Sequence, residues 1–555
     1  MVAAKIDKEK SRTKENRMFF AADARNGNRA NSLLVSLSPC LLVSLSLFFA
    51  GCDERAAPES APLHFEVGVA KGLTGAPRAG RLLILLSRKR YPEPRFAVRP
   101  EDVRCPAVLG RDVTGLGPGG AAVVGEDADA FPFERLSRLP KGDYFVQAVF
   151  DVNRDLKLID APGNLYSETQ AVSLDPARGG AIRLELTHRS PAEQPPEETE
   201  YVRFVKVHSE LLSKFHGRPV DLRAGVVLPP GFERDKDRRY PLRVHVGGYG
   251  TRYTEVVDEM DESSSFREAW LAEDAPRMVM LQLDGAGPYG DPYQVNSDNN
   301  GPYGDAVTQE LIPYVESKYR CIGEPYARVL DGPSTGGWVS LALQVFYPDF
   351  FNGAWAHCPD PVDFRAYELI NIYADDENAY ANRHGFERPA SRDVDGDPRT
   401  TVRYECRLEA ALGLGGRWEL SGRDWCAWNA VFGPRGDDGL PKPLWDGKTG
   451  EINPDVVEHW KKYDLRLRME DDWATLGPKL RGKLHIWVGE ADDYFLNNAV
   501  HLLDDFLSDA RPSYRGKITY AMGKDHFWRG LTPRRMLDEM AAQVEKGKKE
   551  KEARE

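Results

Sequence analysis

"ARVLDGPSTGGWVSLALQVFYP", Ala327 to Pro348, is the stretch on which the reading of the fold turns. It opens as an apolar run of the kind that forms a buried strand. It passes through Ser334, flanked by Gly332, Gly336 and Gly337, and continues with Trp338, Leu341 and Val345 at helical spacing. Strand, glycine-flanked serine, helix is the context of a nucleophile elbow. The turn is strained, glycines let helix and strand approach, and the hydroxyl points out at the end of the sheet. A helix starting at the serine also favours an oxyanion there. Gly-x-Ser-x-Gly alone is weak evidence in a chain with 50 glycines, so its surroundings must decide.

Those surroundings alternate strands and helices. Apolar runs stand at Ala224–Pro229, Leu242–Gly248, Met278–Gly285, Ala327–Gly332, Gly353–Cys358, Leu484–Gly489 and Lys517–Met522. Between two of them, "GDAVTQELIPYVESKY" (Gly304 to Tyr319) carries Val307, Leu311, Tyr314 and Val315 at helical spacing. The expectation is an α/β domain over 201–540 with a doubly wound, mostly parallel sheet covered on both faces.

A serine hydroxyl needs a base, and in folds of this kind the chain order is Ser, acid, His. "LHIWVGEADD" places Asp492 and Asp493 just after a strand, and "ITYAMGKDHFW" places His526 after the last one. Of the two, Asp492 is the candidate acid. Asp493 is expected to meet solvent or to cap the helix of "NNAVHLLDDFL". Gly248 and Tyr249, in "RVHVGGYGTRY", would supply oxyanion amides together with Thr335.

From 361 to 480 the rhythm breaks, with no clear strand pair. This interval holds Trp418, Trp425, Trp428, Trp445, Trp460 and Trp473, six of the 11 tryptophans. It reads as an insertion, either a cap over the site or a subdomain whose core the rings form; Trp425 and Trp428 are the candidates for substrate contact.

Residues 63–188 read differently. "LHFEVGVA", "RLLILLS", "DYFVQAVFDV" and "AIRLELTH" are strand-like runs between Gly/Pro-rich breaks, which suggests a small all-β, antiparallel, sandwich-like domain. Asp151, Asn153 and Asp155 open like a calcium loop. Leu156 and Pro162 stand where such a loop wants Gly and Glu, so a polar turn at a strand end is the better reading. A Pro/Glu-rich linker follows at 189–200, and 541–555 reads as a frayed charged tail.

At the start, basic residues up to Arg29 precede an apolar run that ends Phe49-Ala50-Gly51-Cys52. This resembles a lipoprotein-type signal, 1–51, with Cys52 as the lipidation site and 52–62 as tether; Met18 is an alternative start. An uncleaved membrane anchor is the competing reading. A bacterial cell-envelope location and an N-terminal lipid anchor in the membrane are therefore expected. The net charge of −12 and the lack of a basic stripe argue against a nucleic-acid partner. Apart from Cys40 within the signal-like segment and Cys52, five of the seven cysteines remain, Cys105, Cys321, Cys358, Cys406 and Cys426; they show no Cys-x-x-Cys spacing, so no metal site is expected, and an oxidising compartment would allow one disulfide, its pairing open.

"VVLPPGF", "YPLRVHVGGYG", "NNGPYGDAVTQELIPYVESKY", "LDGPSTGGWVSLALQVFYPDFFNGAWAHCPDPVDF" and "GKLHIWVGEADDYFLNNAV" together resemble the putative esterase family of α/β-hydrolases, which includes esterase D, enterochelin esterases and feruloyl esterases. The likeness spans about 200–540. It implies a cofactor-free Ser-Asp-His hydrolase of small-molecule or glycan esters, with Ser334, Asp492 and His526 in those roles. "KDHFW" departs from the family's usual Gly-His-x-Trp at Asp525. Acyl transfer with the same triad, and a non-catalytic glycan-binding protein on a hydrolase scaffold, are the competing readings.

Overall fold

Residues 61–555 are described by a computed structural model. Cys52, the signal-like segment and most of the tether lie outside the described residues.

The first strands are β1 (His64–Val69), β2 (Arg78–Ser87), β3 (Ala107–Leu116), β4 (Ala121–Val124), β5 (Asp129–Phe131), β6 (Gly142–Asp151), β7 (Leu165–Ser167), β8 (Gln170–Leu174) and β9 (Ala181–Arg189). The strands expected as a sandwich-like unit are hydrogen-bonded into one continuous sheet, ordered β4-β1-β9-β7-β6-β2-β3-β5, with β8 also on β6. Length explains the continuity. β6 is ten residues long, so one of its edges serves β8 at Gly142–Val146 and β7 at Val149–Phe150 while the other edge pairs with β2. β1 and β9 run parallel, a departure from the antiparallel expectation.

Both faces of β2 are buried. Leu82, Ile84 and Leu86 join a core with Val146, Ala148 and Phe150. Leu83 and Leu85 face the other way and pack with Val108 and Val149 against Leu408, Ala411 and Leu412. Those last three sit on a helix of the 361–480 interval. Arg81, 1% exposed, reaches the same helix: its guanidinium donates to the Ala411 carbonyl at 2.9 Å and pairs with Asp129 at 2.7 Å and Asp112 at 3.0 Å.

The second sheet has eight strands: β10 (Val202–His208), β11 (Asp221–Val227), β12 (Leu242–His245), β13 (Val279–Leu283), β14 (Arg328–Pro333), β15 (Ala354–His357), β18 (Leu484–Gly489) and β19 (Lys517–Ala521), with β16 (Pro389–Arg392) and β17 (Pro398–Thr401) forming a separate hairpin. Its order is β10-β11-β13-β12-β14-β15-β18-β19. β10 and β11 are antiparallel additions; from β13 to β19 every pairing is parallel.

The helices used below are α1 (Ile312–Lys318), α2 (Thr335–Phe346), α3 (Val402–Leu412), α4 (Asp424–Phe432), α5 (Asn497–Asp509) and α6 (Pro533–Glu552). Alternate residues of the sheet feed two cores. Leu281, Leu330 and Ile486 meet α2 and α5; Met280, Val329 and Trp487 meet α6. The stretch before α1 contains a π-helical turn, Val307–Leu311, next to Pro313, whose ring nitrogen has no hydrogen to donate.

Two local expectations are corrected. The insertion does contain a strand pair, β16 with β17; its strands are four residues each around a polar "DVDGD" turn, too short to show a period of two. The charged tail is helical to Glu552, because Leu537, Met540 and Val544 recur at helical spacing and are buried. The five cysteines in the described residues are free thiols. Among the described residues no helix is long and apolar enough to cross a membrane.

Candidate active site

Ser334 stands between β14 and α2 with φ 53° and ψ −124°, a conformation that a side chain adopts only under constraint. The glycines beside it are required by close approach. A Cβ on Gly332 would lie 2.3 Å from the Val246 carbonyl oxygen, and one on Gly336 1.9 Å from the same atom. Beneath the elbow, Arg243 of β12 clamps Asp331 of β14 through two 2.7 Å bonds, and His245 adds a third at 2.9 Å. Burial opposes the Asp331 charge, yet Arg243 and His245 hold its carboxyl well below the usual range.

Asp492 and His526 meet after β18 and β19. The Nδ1 of His526 is 2.8 Å from Asp492 Oδ2, both residues being at most 5% exposed. A second Asp492 oxygen accepts the Tyr494 and Leu496 amides, which fixes the carboxylate. Burial works against the imidazolium, but the charge and hydrogen bond of Asp492, with Asp360 adding, leave His526 raised from its ordinary value.

Asp493 does not meet solvent, and it caps no helix. It is 1% exposed, pairs with Arg399 of β17 at 2.7 Å, and accepts the His526 amide at 3.3 Å. The hairpin that sequence periodicity did not reveal supplies its partner. Arg392, on the other strand, donates to the Asp492 carbonyl at 2.9 Å.

Ser334, Thr335, Gly248, Tyr249, His526, Trp425 and Trp428 all line one cavity of about 560 Å³. Among the described residues the amides of Gly248, Tyr249 and Thr335 have no partner within the protein, so they are free to donate into it. Trp425 and Trp428 are both wall and core: their rings contact each other and Tyr367, at 5.3, 5.8 and 5.1 Å. The two readings offered for the tryptophan cluster are thus compatible.

Three features escaped the sequence. Ser334 Oγ donates to Asp360 Oδ1 at 3.3 Å. The other Asp360 oxygen accepts the hydroxyls of Tyr293 at 2.5 Å and Thr335 at 2.9 Å, and the Trp428 indole at 3.2 Å. Burial nevertheless leaves the Asp360 carboxyl raised. The only signal for it was a carboxylate just past the end of β15, in "HCPDP", the end at which sites form in such sheets. The second missed feature is Glu368, which also lines the cavity. The third is the wall contributed by Val98 to Glu101, from the loop between β2 and β3.

A family model described as "Putative esterase" matches residues 219–530. No protein of curated function matches the chain. Among solved structures, a ferulic acid esterase is similar at 14% identity over 62% of this chain and 98% of that one, with a TM-score of 0.36. An S-formylglutathione hydrolase from Agrobacterium tumefaciens is 14% identical over 63% and 98%, TM-score 0.35. A fluorophosphonate-binding serine hydrolase F from Staphylococcus aureus is 12% identical over 62% and 98%, TM-score 0.36.

Proposed function

The chain belongs to the family described as "Putative esterase", of the α/β-hydrolase type, and on that footing we propose that it hydrolyses carboxylic esters with Ser334 as nucleophile, His526 as general base and Asp492 as the residue that orients it. The observation that carries this reading is the strained Ser334 elbow opening into the same cavity as a histidine whose Nδ1 is held by a buried carboxylate. On this reading the doubly wound sheet is the catalytic core, and the strands over 63–188 form an all-β unit that walls the cavity.

The steps follow. His526 Nε2 takes the Ser334 proton as Oγ attacks the ester carbonyl. The oxyanion forms against the amides of Thr335 and of Gly248 and Tyr249. Asp492 holds the Nδ1–H tautomer and stabilises the imidazolium. His526 then returns the proton to the leaving alcohol. Water, deprotonated by the same imidazole, attacks the acyl-serine, and His526 returns that proton to Ser334 Oγ as the acid is released. The acylation step requires Ser334 Oγ–H to leave Asp360 and turn to His526, so Asp360 holds the resting hydroxyl.

A fluorophosphonate probe tests the nucleophile directly: labelling of the protein, and its loss in Ser334→Ala, is the expected result. An unlabelled wild type would remove the assignment. We also propose that the mature chain starts at a lipid-modified Cys52 and is held in the bacterial cell envelope. Intact-mass measurement on protein from a native host checks this, and an unmodified cysteine would refute it.

A further inference from the structure

Glu368 sits in the tight turn Tyr367–Ile370, which is closed by reciprocal backbone bonds of 2.9 and 3.0 Å. Its φ is 52°, a region where glycine or asparagine rests without strain and a glutamate does not. The side chain lines the Ser334 cavity, yet the residue is only 3% exposed and its Oε2 has no hydrogen-bond partner among the described residues. A buried carboxylate oxygen without a donor is unfavourable, and such groups in a native fold call for an explanation. Strain and an orphan acceptor coincide in one residue facing one cavity, which points to a donor that arrives with a ligand.

The surroundings indicate the donor's charge. Glu405 of α3 and Asp424 of α4 line the same cavity, as do the rings of Trp425, Trp428 and Tyr494. Burial, with the neighbouring carboxylates adding, pushes Glu368 well above the usual carboxyl range, Glu405 up to about 7 and Asp424 up to about 8. Arg423 lies beside Asp424 and offsets it in part; Arg529 and His526 are further cationic or titratable groups on the wall. The three carboxylates do not converge as metal ligands. Among the described residues the only three such ligand atoms within 4.8 Å of one another belong to Cys358, Asp492 and His526. Separated carboxylates in a cavity also lined by indole and phenol rings suit an organic cation, which aromatic rings attract as well.

We propose that this part of the cavity binds a protonated primary amine carried by the ester substrate, donating to Glu368 and balanced by Asp424 and Glu405. The proposal rests on the esterase reading, and gives it a substrate class: esters with an ammonium group on one side of the scissile bond.

Calorimetry on the full chain at pH 7 tests it, with 2-phenylethylamine (cationic) against 2-phenylethanol (neutral, with one hydroxyl donor). The amine is expected to bind at least about tenfold more tightly, and Glu368→Gln to bring the ratio below about threefold. Asp424→Asn is the second variant, expected to lower the same ratio and to serve if Glu368→Gln does not fold. Equal binding, a preference for the alcohol, or no binding of either by wild type overturns the proposal. So does an amine preference untouched in a folded Glu368→Gln. Hydrolysis of 4-nitrophenyl acetate reads the esterase separately. Turnover without amine preference sinks the subsite alone, and amine preference without turnover sinks the esterase reading and overturns the ester part of the proposal, leaving an amine-binding cavity.

Discussion

Ser334 Oγ hydrogen-bonds the buried carboxylate of Asp360 at 3.3 Å, so the hydroxyl at the elbow rests on an acid from the neighbouring strand's loop, in a cavity that His526 also lines. This sets up a competition between stability and activity. The Asp360 carboxyl is raised chiefly by burial, although Tyr293, Thr335 and Trp428 donate to it.

Asp360→Asn is expected to stabilise the fold at neutral pH. The sign follows from linkage. A carboxyl whose folded pKa lies above its unfolded value binds more protons when folded, so its contribution is present at low pH and is lost as pH rises through the folded pKa. The amide keeps the acceptor for three donors and carries no buried charge. The melting-temperature gain over wild type should therefore grow as pH rises from about 4. Activity should fall about tenfold, and the acid limb of kcat/KM should move to lower pH, because Asp360 helps hold His526 charged. Thermal melts and pH–rate profiles on one ester check both.

Ser334→Ala should lower hydrolysis of an activated ester by three or more orders of magnitude, roughly the loss expected when a nucleophile is removed. Ser334→Gly should be equally inactive and more stable, by about 1–2 kcal/mol, since glycine is at ease at φ 53°. Denaturant melts of the three proteins separate the backbone effect from the chemical one.

Asp492→Asn is expected to cut kcat by orders of magnitude, because an amide cannot stabilise the imidazolium and can hold the wrong tautomer. Asp493→Asn should cost less than about tenfold in kcat. It should, however, destabilise the protein by roughly 1–2 kcal/mol, since it weakens the pair with Arg399 that ties the hairpin to the His526 loop. Kinetics and melts on both variants decide; the reverse ranking in kcat would move the orienting role to Asp493.

Arg81→Met keeps the stem and removes the bonds to Asp112, Asp129 and the Ala411 carbonyl. A loss of about 2–4 kcal/mol is expected. Because the strands it anchors also carry Val98 to Glu101 to the cavity, KM for a bulky ester should rise more than KM for an acetyl ester. Equal effects on the two esters would mean that this wall does not touch substrate.

Local chemistry was enough to read the elbow. Gly332 and Gly336 leave room for a carbonyl that only a tight strand–helix turn brings close, and the order of Ser334, Asp492 and His526 along the chain matches the order of the strands that carry them. Apolar runs located β11 to β15, β18 and β19, while β10, in which Arg203, Lys206 and His208 interrupt the apolar residues, gave no such run. The rest of what the pattern missed was short or non-local. β16 and β17 are four residues each, and β6 joins two groups of strands only because the folded chain gives it two partners along one edge.

The sequence by itself therefore determined the order of the elements and which of them end in a glycine-flanked serine, an aspartate pair and a histidine, because those depend on residues near one another in the chain. Tertiary structure alone decided that Asp493 pairs with Arg399, that Ser334 rests on Asp360, and that Arg81 brings the first sheet onto α3 beside the cavity. Each of these joins groups 26 to 330 residues apart. A carboxylate's environment, and hence its charge and its role, is set by what packs around it in three dimensions, and local pattern carries no record of that.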